Sequence, residues 1–401
     1  MTFNFDLTHL ERFAGSSTSI RRPRECTYFS YDDNHVLKPL STESLACYYP
    51  PIFGAPGAQE VRPDLSAGFK TFRQRDDSID EHLDGLLDTL QAHEESLLEK
   101  ARNGEGELVD VRVKADVITW RGMMTKILTV AFDDFSDFEM NATSFQGTIF
   151  VEENHAYKAA QQRTQNAQQP RRGEASQEMM QYWGYKFEAI SVIPKQWAEM
   201  TREEIENREV QTVSNHAQYC SIVRTGFGTT SLVIAGEVDC VMGEKPNNPD
   251  QPIPWVELKT SAEPGNLSNP REAVKYERKL MRYWAQSFLL GVPKLTVGYR
   301  TQDGFLTRIA ELETQRIPAQ VKRGQHTWDG NICINLTSAF LEFLKQTIGD
   351  EEGVWRIRRR RNGRVIEMTK IEDAGTGNVL KESFKRHRET VRGLEISAAL
   401  G

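Results

Sequence analysis

No run of about 18 apolar residues occurs in this chain, which excludes a membrane-spanning helix of ordinary length. The first residues, Met1-Thr2-Phe3-Asn4-Phe5-Asp6, lack the basic and apolar segments of a secretory signal, so the chain is expected to be neither secreted nor membrane-bound. The five cysteines, at 26, 47, 220, 240 and 333, are scattered, with no paired spacing of the kind that builds a zinc site or disulfide framework. A reducing compartment is the simplest expectation. An excess of positive charge is also missing: the net charge is −7, so this is no general polyanion-coating protein, and any nucleic-acid contact must come from local basic surface. No low-complexity linker divides the 401 residues. The expected organisation is therefore an N-terminal arm, 1–70, laid over one large domain, 71–401.

Two short stretches carry charge inside otherwise apolar runs. They are Gly236-Glu237-Val238-Asp239-Cys240 and Trp255-Val256-Glu257-Leu258-Lys259-Thr260. Strand alternation places Glu237 with Asp239, and Glu257 with Lys259, on single faces. Either stretch alone reads most simply as a salt-bridged edge strand in water. The spacing Asp-x17-Glu-x-Lys, with apolar strand material on both sides and a turn-rich loop at 244–251, points instead to a metal site. Buried carboxylates are costly unless a cation compensates them. Their oxygens suit Mg²⁺, and a neighbouring lysine suits a phosphate, which together fit phosphodiester or pyrophosphate cleavage.

Elsewhere, apolar residues between Ser78 and Ala101 recur at helical spacing. Val117 to Gly122 and Met124 to Val130 read as strands, with Arg121 at a strand end. The segment 155–181 reads as two helical pieces around Pro170 and Gly173. Tyr185 and Phe187 are expected on one strand face and Lys186 and Glu188 on the other, which makes Glu188 a further inward carboxylate. Asn269-Pro270 starts a helix that Gly291 stops. On it Lys275, Lys279, Arg282 and Gln286 form a stripe that reads as a solvated face or as a rail for a polyanion. The arginine-rich run 355–364 ends in Asn362-Gly363 and reads as a hairpin.

Trp120-Arg121-Gly122, Gly184 to Glu188, Gly236 to Cys240, Val256 to Ser261 and Trp284-Ala285-Gln286-Ser287-Phe288 follow one another in an order that resembles the DXO family of RNA 5′-end decapping nucleases. The chain is most similar to its fungal nuclear branch. The resemblance covers roughly 20 to 390. It implies an α+β fold of two mixed β-sheets flanked by helices, with a core related to restriction-type nucleases and the active site in a cleft between the sheets. It also implies that Glu188, Asp239, Glu257 and the Leu258 carbonyl hold Mg²⁺ or Mn²⁺, as one ion or two, while Glu237, Lys259 and Gln286 position water and the scissile phosphate. Trp120, Arg121, Gly122, Cys220 and Glu81, the last on the early helix, would contact substrate. His35 stands where relatives place an arginine.

The implied activity removes triphosphate, unmethylated-cap or NAD-like 5′ ends, leaving 5′-monophosphate RNA for a nuclear 5′-to-3′ exoribonuclease, which the protein would also stimulate. The expected location is the nucleus. Trp197, in a polar stretch, is either a partner contact or an ordinary core residue. Two other readings stand beside this one. A restriction-type DNA nuclease would share the Asp-x17-Glu-x-Lys unit but leave Trp120-Arg121-Gly122 and Gln286 without a role. A non-catalytic stabilising subunit would need none of the carboxylates.

Overall fold

The computed structural model describes residues 1–51, 62–108, 111–166 and 175–400. The N-terminal part supplies β1 (Thr2–Asp6), β2 (Ile20–Tyr31), β3 (Leu37–Pro39) and β4 (Cys47–Tyr48). Next come α1 (Asp84–Arg102), β5 (Val117–Trp120), α2 (Arg121–Thr129), β6 (Phe138–Phe145), β7 (Thr148–Glu153), α3 (His155–Asn166) and α4 (Gln177–Ile190). After β8 (Val192–Ile193) and α5 (Arg202–Asn207) the chain forms β9 (Gln218–Phe227), β10 (Thr230–Glu237), β11 (Cys240–Val241) and β12 (Trp255–Ala262). The rest holds α6 (Pro270–Leu290), β13 (Lys294–Arg300), β14 (Leu306–Glu313), α7 (Ile317–Arg323), α8 (Gly330–Ile348), β15 (Val354–Arg359), β16 (Val365–Glu372) and α9 (Glu382–Leu400).

The described strands assemble into two mixed sheets. A ten-stranded sheet runs β1-β16-β15-β6-β7-β5-β10-β9-β2-β3, and a six-stranded one runs β14-β13-β12-β11-β4-β8. With helices flanking both, this is the α+β architecture expected. β10 lies inside the large sheet, parallel to β5 and antiparallel to β9. Its Leu232 and Ile234 pack with α2, α6 and α8, and Val233 and Ala235 pack with α1 on the opposite face. Burial on both faces explains why this segment reads as an unbroken apolar run. A third cluster joins α4 to the small sheet through Trp183, Phe187, Val256 and Leu258.

Several elements differ from the sequence reading. Residues 1–70 do more than lie over a body. β1 pairs with β16, β2 with β9, and β4 enters the small sheet beside β11, so this segment is woven into both sheets. Met124 to Val130 is helix α2 with one following residue, not a strand: Met123, Met124, Ile127 and Leu128 are buried at i, i+1, i+4 and i+5. Tyr185 to Glu188 likewise lies in α4, where Tyr182, Trp183, Lys186, Phe187 and Ile190 form the buried stripe and the Ser176 side chain accepts from the Met179 N–H as the cap. Segments this short complete too few repeats for a period of 2 to be told from one of 3.6. α1 begins at Asp84, because His82 adopts φ +46° and Leu83 follows as its flank. The two helices around Pro170 and Gly173 are present as α3 and α4, but those two residues lie outside the described residues.

α6 matches its signals. The Asn269 side chain accepts from the Arg271 N–H, Pro270 is its first residue, and Gly291 closes it at φ +72°. The arginine-rich run forms the β15–β16 hairpin, with Asn362 at φ +56°. Arg356 and Arg358 pair with Glu139, and Arg359 is buried.

Candidate active site

The chain leaves the large sheet at Glu237, the last residue of β10, and enters the small one at Cys240. Val238 is buried at this step, while Asp239 stays half-exposed. β11 runs antiparallel to β12 with Cys240 opposite Val256, so the turn-rich loop makes the return its composition indicates. That pairing sets Asp239 beside the next strand, where the Leu258 N–H donates to its Oδ2 at 2.6 Å. Val256 and Leu258 point into the core under α4, and alternation turns Glu257 and Lys259 to the other face. Glu188, in the last turn of α4, lies within electrostatic reach of Asp239, Lys259, Glu237 and Glu257. The four carboxylates thus come from both sheets, the step between them and one helix.

Two cations oppose them. Lys259 Nζ stands 2.7 Å from Glu257 Oε1, and Arg121, the first residue of α2, donates from Nη1 to Glu257 Oε2 at 3.4 Å. Burial disfavours an ionised Glu257, yet Lys259 and Arg121 outweigh it and hold its carboxyl below the ordinary range. The balance tips the other way at its neighbours. Burial, then the charge of Glu257, pushes Asp239 up to about 7. Burial and Asp239 raise Glu188 well above the usual carboxylate value, and Glu237 is raised by burial against the pull of Arg121. Lys259 is kept firmly protonated, because Glu257, Asp239 and Glu188 overcome its own desolvation.

This donor set is chemically that of a hard divalent cation: oxygen only, with three acids whose mutual repulsion a cation would relieve. Glu257 Oε1 is buried and has the Lys259 ammonium 2.7 Å away. These two observations fit a metal held by Glu188, Asp239 and Glu257. Among the described residues, however, no three acidic, histidine or cysteine side chains close on one point as a finished metal cage. Arg121, Lys259 and the Leu258 N–H engage the oxygens instead, so a cation would displace those contacts.

The other expected residues surround this centre unevenly. Cys220, buried on β9, lies directly opposite Glu237. The Trp120 Nε1 donates to the His82 carbonyl at 2.9 Å, and its ring meets Phe29 edge-on, so this side chain is largely committed to structure. Gly122 has open space where a Cβ would stand, and α2 begins without a side-chain cap, leaving N-terminal amides beside the acidic group. Glu81 is not on α1; it precedes the helix. There Glu81 Oε1 lies 2.9 Å from Nε2 of His35, which itself stacks on Tyr31 with ring centroids 4.0 Å apart. The Gln286 side chain has no protein hydrogen-bond partner among the described residues. It follows Lys279 and Tyr283 by seven and three residues, and these donate to Ser261 Oγ and the Thr260 carbonyl, so the Lys279 side of the stripe meets β12 while Lys275 and Arg282 are exposed to solvent. Lys275 and Arg282 are paired with Glu272 and Asp133.

Four further residues take part. Gln218 Nε2 donates to Glu237 Oε2 at 3.2 Å. Arg75 lies beside His35 and Glu81 and lowers the charge cost of Glu237. Tyr185 sits one turn before Glu188 on α4, and Tyr283, pushed up to about 12 by burial, feels Lys259. Of these only Tyr185 was legible in principle, from its i, i+3 spacing to Glu188 once the segment is read as helix.

Residues 21–385 match the family model described as RAI1 like PD-(D/E)XK nuclease. The decapping nuclease RAI1 of Emericella nidulans is 50% identical over 387 residues, spanning 96% of this chain and 98% of that one. Its counterpart from Aspergillus fumigatus is 51% identical over 381 residues, spanning 95% and 97%. Among solved structures, Scheffersomyces stipitis Rai1 in complex with (3′-NADP)+ and calcium ion is similar at a TM-score of 0.81 and 26% identity, over 97% of this chain and 100% of that one.

Proposed function

Because the chain belongs to the RAI1-like PD-(D/E)XK nuclease family, we propose that it is a decapping nuclease acting as a metal-dependent hydrolase of unfinished RNA 5′ ends. The observation that carries the reading is the acidic group of buried Glu257 and half-buried Glu188, Glu237 and Asp239, crossed by Arg121 and Lys259 at the junction of the two sheets. Three of its acids are held above their ordinary ionisation range, a pattern that clusters at active sites.

In this reading Glu188, Asp239 and Glu257, with the Leu258 carbonyl, hold Mg²⁺ or Mn²⁺, as one ion or a pair. Bound there, the cation supplies an acidified water and neutralises charge on the phosphate. Lys259, protonated, sets positive charge beside the scissile phosphate, where it is stronger than in water. Arg121 and the α2 amides bind the phosphates that follow, as helix N-termini favour anions. Glu237, fixed by Gln218, and Gln286 orient the attacking water. Trp120, Gly122, Cys220, Glu81 and His35 line the nucleotide path. Hydrolysis leaves 5′-monophosphate RNA and releases pyrophosphate, a cap dinucleotide or an NAD-like group; the (3′-NADP)+ complex of the S. stipitis protein supports the last of these. A 5′-monophosphate is the end a 5′-to-3′ exoribonuclease needs, so the proposed place of action is the nucleus, beside such an enzyme.

The test is product analysis with Mg²⁺ or Mn²⁺ on 5′-triphosphate, unmethylated-capped, NAD-capped and 5′-monophosphate RNA. Release of pyrophosphate, cap dinucleotide or NAD is expected, and should fall by at least ~10²-fold in Lys259→Ala, which removes one preorganised charge. No turnover on any end by folded protein with bound metal sinks the reading, and cleavage of duplex DNA replaces it with a DNA nuclease.

A further inference from the structure

β2 is distorted where it carries its charge. Against β9 its register slips twice, between Arg21 and Arg24 and between Glu25 and Thr27, so the strand holds extra residues on both sides of Arg24. Pro23, which cannot donate to a ladder, sits inside the first slip, as bulges allow. Bulges re-aim side chains, and here Arg21, Arg22 and Arg24 are all exposed instead of alternating in and out. Arg24 lies in register with Arg224 of β9, which is exposed too. Like charges directly opposite one another on a ladder are destabilising. Among the described residues no carboxylate pairs with Arg21, Arg22 or Arg224, and Arg24 has only the exposed Asp250, a weak compensation. Arg22 and Arg24 stand between two open cavities of about 500 and 520 Å³, the second also lined by Arg21 and Arg224. In a chain of net charge −7 this is a deliberate local excess.

Its position bears on the acidic centre. Cys220, opposite Glu237, and Arg224 lie on the same strand four residues apart, roughly 13 Å at strand rise. We propose that the bulged Arg21-Arg22-Pro23-Arg24 segment and Arg224 form a second RNA contact, which grips the sugar–phosphate backbone of single-stranded RNA downstream of the end held at the carboxylates. The ligand class rests on the proposed function; the charge cluster and its strain do not. Phosphates neutralise the Arg24–Arg224 repulsion, so the cost built into the ladder is recovered when RNA binds.

The test measures binding, not turnover, with a long fluorescent 5′-hydroxyl single-stranded RNA titrated at several salt concentrations. Arg21→Ala/Arg22→Ala/Arg224→Ala should weaken binding at low salt by about tenfold or more and flatten the log–log salt slope by about 2, the value for three lost single-strand phosphates. Hydrolysis of a substrate only a few nucleotides long should not change. Arg224→Thr alone removes the facing charge, so its Tm should rise while its RNA affinity falls, a pairing that a structural arginine would not give. Unchanged affinity and slope overturn the proposal. So does unchanged RNA binding with lost capture of an exoribonuclease, which would make the patch a protein-docking surface. A protein that hydrolyses no 5′ end yet binds this RNA through these arginines would sink the proposed function and leave this inference standing.

Discussion

At the scale of single residues, the centre is a contest between desolvation and neighbouring charge, and its members lose or win it individually. Glu257 wins ionisation from Lys259 and Arg121; Asp239, beside Glu257 and with one backbone N–H donated to it, does not, and is held at about 7. This has a signed consequence for stability in chelator-treated protein. Between its ordinary value of 3.8 and about 7, folded Asp239 keeps a proton that the unfolded chain has released. Stability from this group is therefore present below that window and is lost as pH rises through it. Asp239→Asn removes the effect. Its Tm relative to the parent should climb from pH 4 to about pH 7 and then level off, whereas saturating Mn²⁺ should stabilise the parent and not the variant. A flat difference across that range would refute the assignment. The same scale shows what sequence can carry. Glu237, Asp239, Glu257 and Lys259 were legible because charge inside an apolar strand is anomalous where it stands. Arg75 and Gln218 were not, since nothing local marks them; they matter only because folding brings distant segments to Glu237.

At the scale of elements, amphipathic signals with caps were read well and short apolar patches were not. α6 announced its start at Asn269-Pro270 and its end at Gly291. α2 and the end of α4 offered too few residues to separate a helical from a strand period, and Glu188 stands half-buried on a helix where a strand was expected. Gly291 shows how strictly an element end can be specified. It combines φ +72° with a position where a Cβ would stand 3.2 Å from Pro23 Cβ and 3.4 Å from the Pro23 carbonyl oxygen. Gly291→Ala should therefore cost roughly 1–2 kcal/mol from the left-handed backbone alone, read as a lower midpoint in denaturant. An unchanged midpoint would mean that the α6 terminus shifts freely against β2.

At the scale of the whole molecule, the site exists only where the two sheets meet, and no single segment contains it. The surface away from that junction carries an exposed aromatic side chain. Trp197, between β8 and α5, is 67% exposed, so the core alternative does not apply. Exposed tryptophans are frequent anchors of protein interfaces. As the proposed exoribonuclease contact, Trp197→Ala should weaken that complex by ~2 kcal/mol or more while 5′-end hydrolysis by the isolated protein stays intact. Unchanged binding in a pull-down titration removes Trp197 from the interface. Finally, β1 completes the large sheet by pairing Thr2 with Thr369 through to Asp6 with Val365. On a translating ribosome at about 5–20 residues per second, the chain's first strand would wait some tens of seconds for its partner to be made. During that time the strand's backbone has no native ladder, so the newborn chain has an interval in which a chaperone would find it unpaired.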